Sequence, residues 1–150
     1  MQQENAAAIE LLHLCAFLAP DAIPYKLFPK DVRILGPTLG PVAADPLRLD
    51  RAITLLRRHS LIKNEVDRDT DISQIFIHRV LQEILKDSMD RRAQRLWPER
   101  AVRAVAYALP MVDWQVMQAH ARSCVPLIEQ WKMNFHEADL ILERLAAEHG

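Results

Sequence analysis

A histidine stands where an extended apolar run changes into a helical pattern. Residues 72–77 are rich in β-branched and aromatic side chains, and the apolar residues that follow His78 have helical spacing. An imidazole can donate or accept a hydrogen bond, and it titrates near neutral pH. A lone imidazole at a strand end usually satisfies a backbone carbonyl, so the pattern by itself predicts a partly buried structural histidine.

Two further residue types invite a metal or thiol interpretation. His120 and Cys124 are four residues apart, which would place both on one face of a helix as half of a metal site. No second pair of ligands follows at a suitable spacing, so we expect both to serve helix packing. Cys15 lies in a strongly apolar helical pattern and is expected to be a small core residue. The sequence therefore predicts no metal site and no disulfide.

Several classes of protein are disfavoured by what the sequence lacks. It has no G-x-x-x-x-G-K-[ST] motif, and its 150 residues include only three glycines, so it cannot hold a nucleotide in the P-loop manner. The apolar run near the start is short, contains Glu10 and has no basic region before it, so neither a signal peptide nor a membrane span is expected. We expect a cytoplasmic chain with no catalytic residues and no cofactor of its own.

Four arginines lie on an amphipathic helical pattern over residues 47–59. They are Arg48, Arg51, Arg57 and Arg58. In a DNA-binding winged helix the corresponding helix enters the major groove, so these arginines are candidates for an interaction surface. Nearby aspartates would repel phosphates, and a formal net charge of −1 supplies no general attraction to nucleic acid. A solvated or protein-contacting face is the favoured interpretation, which makes nucleic acid an improbable partner, and DNA binding is the alternative.

The first elements along the chain are predicted to be helical and then irregular. Residues 4–19 have apolar residues around most of the helical wheel, which predicts a helix buried on most sides. Residues 23–28 predict one or two helical turns with Pro24 at the first position. Residues 29–47 carry four prolines and two glycines, so we expect an irregular segment there.

A hairpin between two helices is predicted next. Residues 47–59 form the arginine-bearing helix, for which Asp45 is the predicted N-cap. Residues 61–66 and 72–77 are β-rich and flank an aspartate-rich turn, which predicts a β-hairpin. A further helix follows the hairpin. This order of elements predicts a winged-helix domain over residues 1–89.

Residues 90–150 are predicted to be entirely helical, as antiparallel helices in a TPR-like array. Asp113 is the predicted N-cap of the second of these helices, and Asn134 with Glu137 resembles a capping box that opens the third. Pro98 predicts either a kink or a boundary between two segments. The last helix has no packing partner in the sequence, so we expect the chain to be a piece of a longer protein.

Several stretches match a known family. They are LLHLCAFLAPDAIP (residues 11–24), LLRRHSLI (55–62), IHRVLQ (77–82), WPERAVRAV (97–105) and Asp113-Trp114. Together they resemble the winged-helix segment of NB-ARC (STAND-type) signalling ATPases, in the fungal and bacterial branch that continues into tetratricopeptide repeats. In that family the hairpin ends in a Met-His-Asp-like triplet, whose histidine reaches the β-phosphate of ADP held by the neighbouring P-loop.

The resemblance implies a role for the triplet Ile77-His78-Arg79. His78, with Arg79, would contact the phosphate of ADP when the ATPase module is present, and the start of the following helix would favour the same anion. Arg79 replaces the aspartate of the plant-type triplet. ADP and ATP are therefore implied as ligands of the parent protein, while this chain alone binds no cofactor.

The implied function is that of a non-enzymatic regulatory and interaction module, which couples nucleotide state to assembly. Its implied partners are a P-loop ATPase module in the same polypeptide and downstream helical repeats. Self-association through the last helix and a stand-alone adaptor role remain alternatives.

Overall fold

The computed structural model describes the backbone of residues 2–69 and 71–149 and the side chains of residues 5–69 and 71–148. Within these residues the chain is mainly helical, with seven α-helices and a small three-stranded antiparallel sheet, which confirms the predicted class at this level. The helices are α1 (Gln2–Cys15), α2 (Val32–Ala44), α3 (Pro46–Arg58), α4 (Arg79–Ser88), α5 (Arg91–Ala108), α6 (Trp114–Trp131) and α7 (His136–His149). The strands are β1 (Ile23–Pro24), β2 (Ile62–Asp67) and β3 (Ile72–Ile77), and a short 3-10 helix spans Tyr25–Leu27.

The predicted hairpin is confirmed as β2 and β3, which pair antiparallel from Ile62 opposite Ile77 to Asp67 opposite Ile72. The backbone N–H of Asp71 donates to the carbonyl of Asp67 at 2.7 Å and closes the turn. Thr70, in the predicted turn, lies outside the described residues. The last residue of β3, Ile77, is followed by His78 and then by the first turn of α4.

The third strand lies where helical turns were predicted. Residues Ile23 and Pro24 pair with β3 as β1, so the strand order is β1-β3-β2. Of the helical turns predicted over residues 23–28, only the 3-10 turn at Tyr25–Leu27 is confirmed. Proline is tolerated in β1 because this strand is at the edge of the sheet, where its missing N–H breaks no inner ladder bond.

Helix α1 is buried on most sides, as its apolar pattern predicts. Leu11 and Leu14 are fully buried, and α1 packs against α2, α3, α4 and α5. The α-helix ends at Cys15, earlier than the predicted residue 19, and the chain continues in turns. A helix enclosed in this way has to satisfy its last carbonyls with protein donors, because water does not reach them freely.

The prediction of an irregular segment over residues 29–47 is wrong, because most of it is α2. The side chain of Asp31 caps this helix by accepting the N–H of Arg33 at 3.0 Å. Helical geometry is interrupted only at Gly36, with φ 88° and ψ 179°, and the helix resumes at Pro37. Proline is favoured at the first position of a helical segment because its missing N–H would have no partner there. The composition thus excludes one regular helix but allows two short segments joined at a glycine.

Both glycines of α2 are required by close packing. A Cβ atom at Gly36 would lie 2.4 Å from Nη2 of Arg100, and one at Gly40 would lie 2.5 Å from the carbonyl oxygen of Val32. The backbone angles of Gly36 also fall in a region that is open almost only to glycine. Because α2 is interrupted at Gly36, its backbone can lie close to the end of the Arg100 side chain.

The region after residue 90 is helical, as predicted. Asp90 caps α5 through the N–H of Ala93 at 2.8 Å, and Asp113 caps α6 through the N–H of Gln115 at 3.1 Å. Helix α5 continues through Pro98, so the predicted alternative of a boundary between two segments at that proline is wrong. Helix α7 begins two residues after Asn134, so the predicted capping box is also wrong.

Helix α5 joins the two halves of the chain. It packs on α1 and α2 as well as on α6 and α7, and the buried apolar residues form one continuous cluster. No helix in the described ranges, 2–69 and 71–149, is long and apolar enough to cross a membrane.

We predict that Gly36→Ala lowers the free energy of unfolding by about 3 kcal/mol, because it adds backbone strain and a collision with Arg100. Urea denaturation measures this change. The control is Thr38→Ala in the same helix, which adds no atoms. In an Arg100→Ala background the cost of Gly36→Ala should fall, because the collision is then relieved; an equal cost in both backgrounds would contradict the packing explanation.

Candidate functional site

His78 lies between the end of β3 and the start of α4, and it is the N-cap of that helix. Its backbone is extended, with φ −72° and ψ 137°, and its Nδ1 accepts the N–H of Val80 at 3.0 Å. The side chain is exposed to solvent. The expectation of a partly buried histidine bonded to a carbonyl is therefore wrong, since the ring is exposed and its partner is a helix N–H.

The cap determines which ring nitrogen is free. Because Nδ1 accepts a hydrogen bond, the neutral ring carries its proton on Nε2, and Nε2–H is left as a donor. A protonated ring would place a hydrogen on Nδ1 and lose the cap. The arrangement therefore presents a hydrogen-bond donor to solvent at the N-terminal end of a helix, where an anion is favoured.

A cavity of about 310 Å³ lies beside this histidine. It is bounded by the α3–β2 turn and the ends of β2 and β3, and its lining residues are Ser60, Leu61, Ile62, Lys63, Phe76, Ile77 and His78. Ser60 has a left-handed backbone with φ 60°, which reverses the chain into β2. Lys63, which also lines this cavity, and Arg79, the residue after His78, are exposed and basic. This combination of donors and cations suits a phosphate or carboxylate.

Gln82 fixes the position of α4 relative to α1. Its side chain is buried, and its Nε2 donates to the carbonyl oxygens of Cys15 at 3.0 Å and Leu18 at 2.7 Å. Because Gln82 lies one turn after His78, the same bonds locate the N-terminus of α4. This role of Gln82 was not predicted from the sequence, although a glutamine within the apolar stripe of a helix is a usable signal for a buried polar contact.

Helix α4 also exposes apolar side chains beside the histidine. Val80 and Ile84 are each 58% exposed and are four residues apart, so they share one face. Leu61 and Phe76, in the adjacent cavity, are partly exposed. Single exposed apolar residues are common, whereas Val80 and Ile84 share a helix face next to His78, and Leu61 and Phe76 line the cavity at the same residue.

The four arginines of α3 are not brought onto a single surface. Arg51 and Arg58 are exposed and seven residues apart, which places them on one face of the helix. Arg57 is rotated about 100° from Arg58 and lies near Tyr25; burial raises the pKa of Tyr25, and the charge of Arg57 partly opposes that rise. Arg48 is only partly exposed. Arg51, Arg57 and Arg58 are thus all exposed, but only Arg51 and Arg58 share one face of α3.

His120 and Cys124 are buried in α6 and serve packing, as predicted. Nε2 of His120 lies 3.1 Å from the carbonyl oxygen of Ala22, whose backbone is left-handed with φ 55°. Burial raises the pKa of the Cys15 thiol to about 12 and raises that of Cys124 further, so both thiols remain protonated. No group of three or more metal-binding side chains occurs among the residues that the structure describes.

The comparisons with known proteins identify a family without assigning an activity. Residues 1–94 match a family described as a domain of unknown function (DUF7779), and the chain belongs to that family. No curated protein and no solved structure matches the chain. The matched region includes the sheet, the His78 site and the first turn of α5.

We predict that His120 makes stability depend on pH. Burial lowers the pKa of His120 below its ordinary value of 6.5, so the unfolded chain binds the proton more readily than the folded one. Stability is then fully present above pH 6.5 and is lost as the pH falls, by at most about 1.4 kcal/mol per pH unit for one proton. Urea titrations between pH 7.5 and pH 5, on the order of half a unit apart, measure this slope.

The matched variant is His120→Gln, which keeps a donor for the Ala22 carbonyl but does not titrate. We expect its slope to be smaller than that of the natural chain. Burial also lowers the pKa of His13. The slope measured for His13→Gln therefore shows how much of the pH dependence comes from His13 and not from His120. Identical slopes for the natural chain and His120→Gln would contradict the assignment.

Proposed function

We propose that this chain is a non-enzymatic regulatory and interaction module of a nucleotide-switched signalling ATPase. A winged-helix domain would occupy residues 1–89, and the first TPR-like helices would follow over residues 90–150. The order of elements supports the winged helix: α1, a short edge strand, α2, α3 and then the β2–β3 hairpin, with strand order β1-β3-β2. The packing of α5, α6 and α7 on one another supports the helical array.

The observation that carries the proposal is the free Nε2–H of His78. The Nδ1 cap on Val80 holds the ring at the start of α4, and the exposed nitrogen can donate to a phosphate oxygen. Hydrogen bonds to charged groups contribute more than neutral ones, about 1.5–3 kcal/mol. In the proposed complex, ADP is held by the P-loop of the ATPase module, and His78 with Arg79 contacts its phosphate.

The exposed apolar group on α4 and in the neighbouring cavity supports docking of the ATPase module at the same place. Val80, Ile84 and Phe76 would be covered when ADP bridges the two modules. Replacement of ADP by ATP would remove the contact to His78 and release the surface. The module would thereby couple nucleotide state to the arrangement of the downstream helical repeats, in the cytoplasm.

We predict that His78→Asn and His78→Ala both weaken ADP binding by the complete protein roughly tenfold or more, because alanine has no donor and the Nδ2 group of asparagine is too short to reach the position of Nε2. The two variants differ in stability. Asparagine is a good N-cap and should retain α4, whereas alanine should cost about 1 kcal/mol. Isothermal titration with ADP and urea denaturation separate the two effects.

The control is Glu83→Gln, an exposed residue on the next turn of α4. It should leave ADP affinity unchanged within error. If His78→Asn binds ADP as tightly as the natural protein, His78 is only a helix cap and the proposed latch is wrong.

The second candidate function is DNA binding, which the exposed pair Arg51 and Arg58 on α3 favours. Against it, Asp67, Asp69 and Asp71 lie at the hairpin turn, where a wing would approach phosphates. The two arginines fit equally well with an acidic protein partner.

We predict that the chain shows no saturable binding to duplex DNA between roughly 50 and 200 mM salt, because its few phosphate contacts would be opposed by the hairpin aspartates. Fluorescence anisotropy of a labelled duplex measures binding. Tight binding that weakens steeply as salt rises, and that is lost in an Arg51→Ala/Arg58→Ala variant, would establish DNA binding in place of the proposed role.

A further inference from the structure

An open cleft of about 580 Å³ lies where the two halves of the chain meet. Its walls are the segment around the 3-10 helix, the junction of α2 and α3, and the end of α5. The lining residues are Tyr25, Lys26, Phe28, Lys30, Ala43, Pro46, Leu49, Tyr107 and Met111. This volume is within the range of sites for small organic ligands, about 300–1,000 Å³.

The interior of the cleft is apolar and accessible. Phe28, Ala43 and Leu49 are buried and form its inner surface, whereas Met111 at the edge is 49% exposed. Leu47, the residue after the cleft residue Pro46, is 61% exposed. Covering an apolar surface of this kind with a ligand is favourable, because the surface is then removed from water.

The polar groups of the cleft are donors. Lys26 and Lys30 are exposed and form no salt bridge with any residue in the described part of the chain. The Tyr25 hydroxyl oxygen accepts a hydrogen bond from Nδ2 of Asn64 at 3.2 Å, which leaves its own O–H free to donate. Burial raises the pKa of Tyr25, so this hydroxyl keeps its proton. Tyr107 adds a second, partly buried phenol.

The charge around the cleft favours an anion. Its lining includes two ammonium groups and no carboxylate. The carboxylates that follow lining residues or precede them in the chain are engaged by other groups: Asp31 pairs with Arg33, and Asp45 accepts the N–H groups of Leu47 and Arg48. The effect of Asp50 on the pKa of Tyr25 is opposed by Arg57. A ligand carboxylate placed between the lysines would therefore meet donors only.

We propose that this cleft binds a small amphipathic anion, a carboxylate with an apolar chain or ring system. The carboxylate would lie between Lys26 and Lys30 with a tyrosine O–H as a third donor, and the apolar part would cover Leu49 and Met111. The enclosure by three elements and the limited volume favour a small molecule over a peptide helix. This site lies on other elements than His78 and does not depend on the proposed nucleotide latch.

Decanoate, below its micelle concentration, is the probe, and its binding to the full chain is measured by isothermal titration. We expect saturable binding with the methyl resonance of Met111 shifted most in a ¹³C-methyl-methionine spectrum. The double variant Lys26→Gln/Lys30→Gln should bind at least about tenfold more weakly, because two charge-assisted contacts are lost. Decanol, which has the same chain without the charge, should bind more weakly as well.

The matched control is Arg68→Gln/Lys132→Gln, which removes two exposed cations outside both the cleft and the His78 cavity and should leave decanoate affinity unchanged. All four substituted residues are exposed, so circular dichroism and thermal melting should show the same folded state in each variant. The proposal is overturned if decanoate does not saturate, if both double variants have the same effect, or if decanol binds as tightly. It is also overturned if an acidic amphipathic peptide occupies the cleft and decanoate does not.

Discussion

The arrangement of the N-terminal part depends on one buried carboxamide. The α-helical part of α1 ends at Cys15 inside the protein, and its final carbonyl groups need donors that water does not supply. Nε2 of Gln82 donates to the carbonyls of Cys15 and Leu18, and a buried carbonyl without such a donor would cost about 1–3 kcal/mol. Since Gln82 lies on α4, these bonds fix that helix against α1. They thereby fix His78 at the start of α4, with its Nδ1 on Val80 and its Nε2 toward solvent.

Arginines of α5 provide the second set of constraints. The guanidinium of Arg100 stacks on Trp97 at 4.7 Å and fills the space above Gly36, while burial lowers its pKa and the Glu10 carboxylate opposes that change. One turn later, Arg103 pairs with Glu99 and Glu137 and stacks on Phe135 at 4.0 Å. Arg103 thereby joins α7 to α5, whereas Arg100 and the contact of His120 to Ala22 attach the later helices to the first half of the chain. The cleft lies between the end of α5 and the segment around the 3-10 helix.

The two candidate binding regions are supported by the same hairpin. Asn64 on β2 bonds to Tyr25 in the cleft, and its neighbour Lys63 lines the cavity at His78. In both regions the charged side chains are exposed, while Gln82 and Asn64, which orient neighbouring groups, are buried or hydrogen-bonded. Such supporting contacts limit the conformations that a ligand would have to select.

Short-range patterns in the sequence determined the secondary structure wherever a local rule was strong enough. The hairpin followed from β-rich runs around an aspartate turn, and the caps at Asp45 and Asp113 followed from their positions before helical patterns. Tertiary structure decided the rest. Residues 32–44 can form α2 in two segments because Gly36 and Gly40 allow close approach to Arg100, which is distant in the chain, and to Val32, which lies before the interruption at Gly36. The exposure of His78, the role of Gln82 and the cleft at Tyr107 likewise depend on which elements meet, and local spacing carries no information about contacts between residues far apart in the chain.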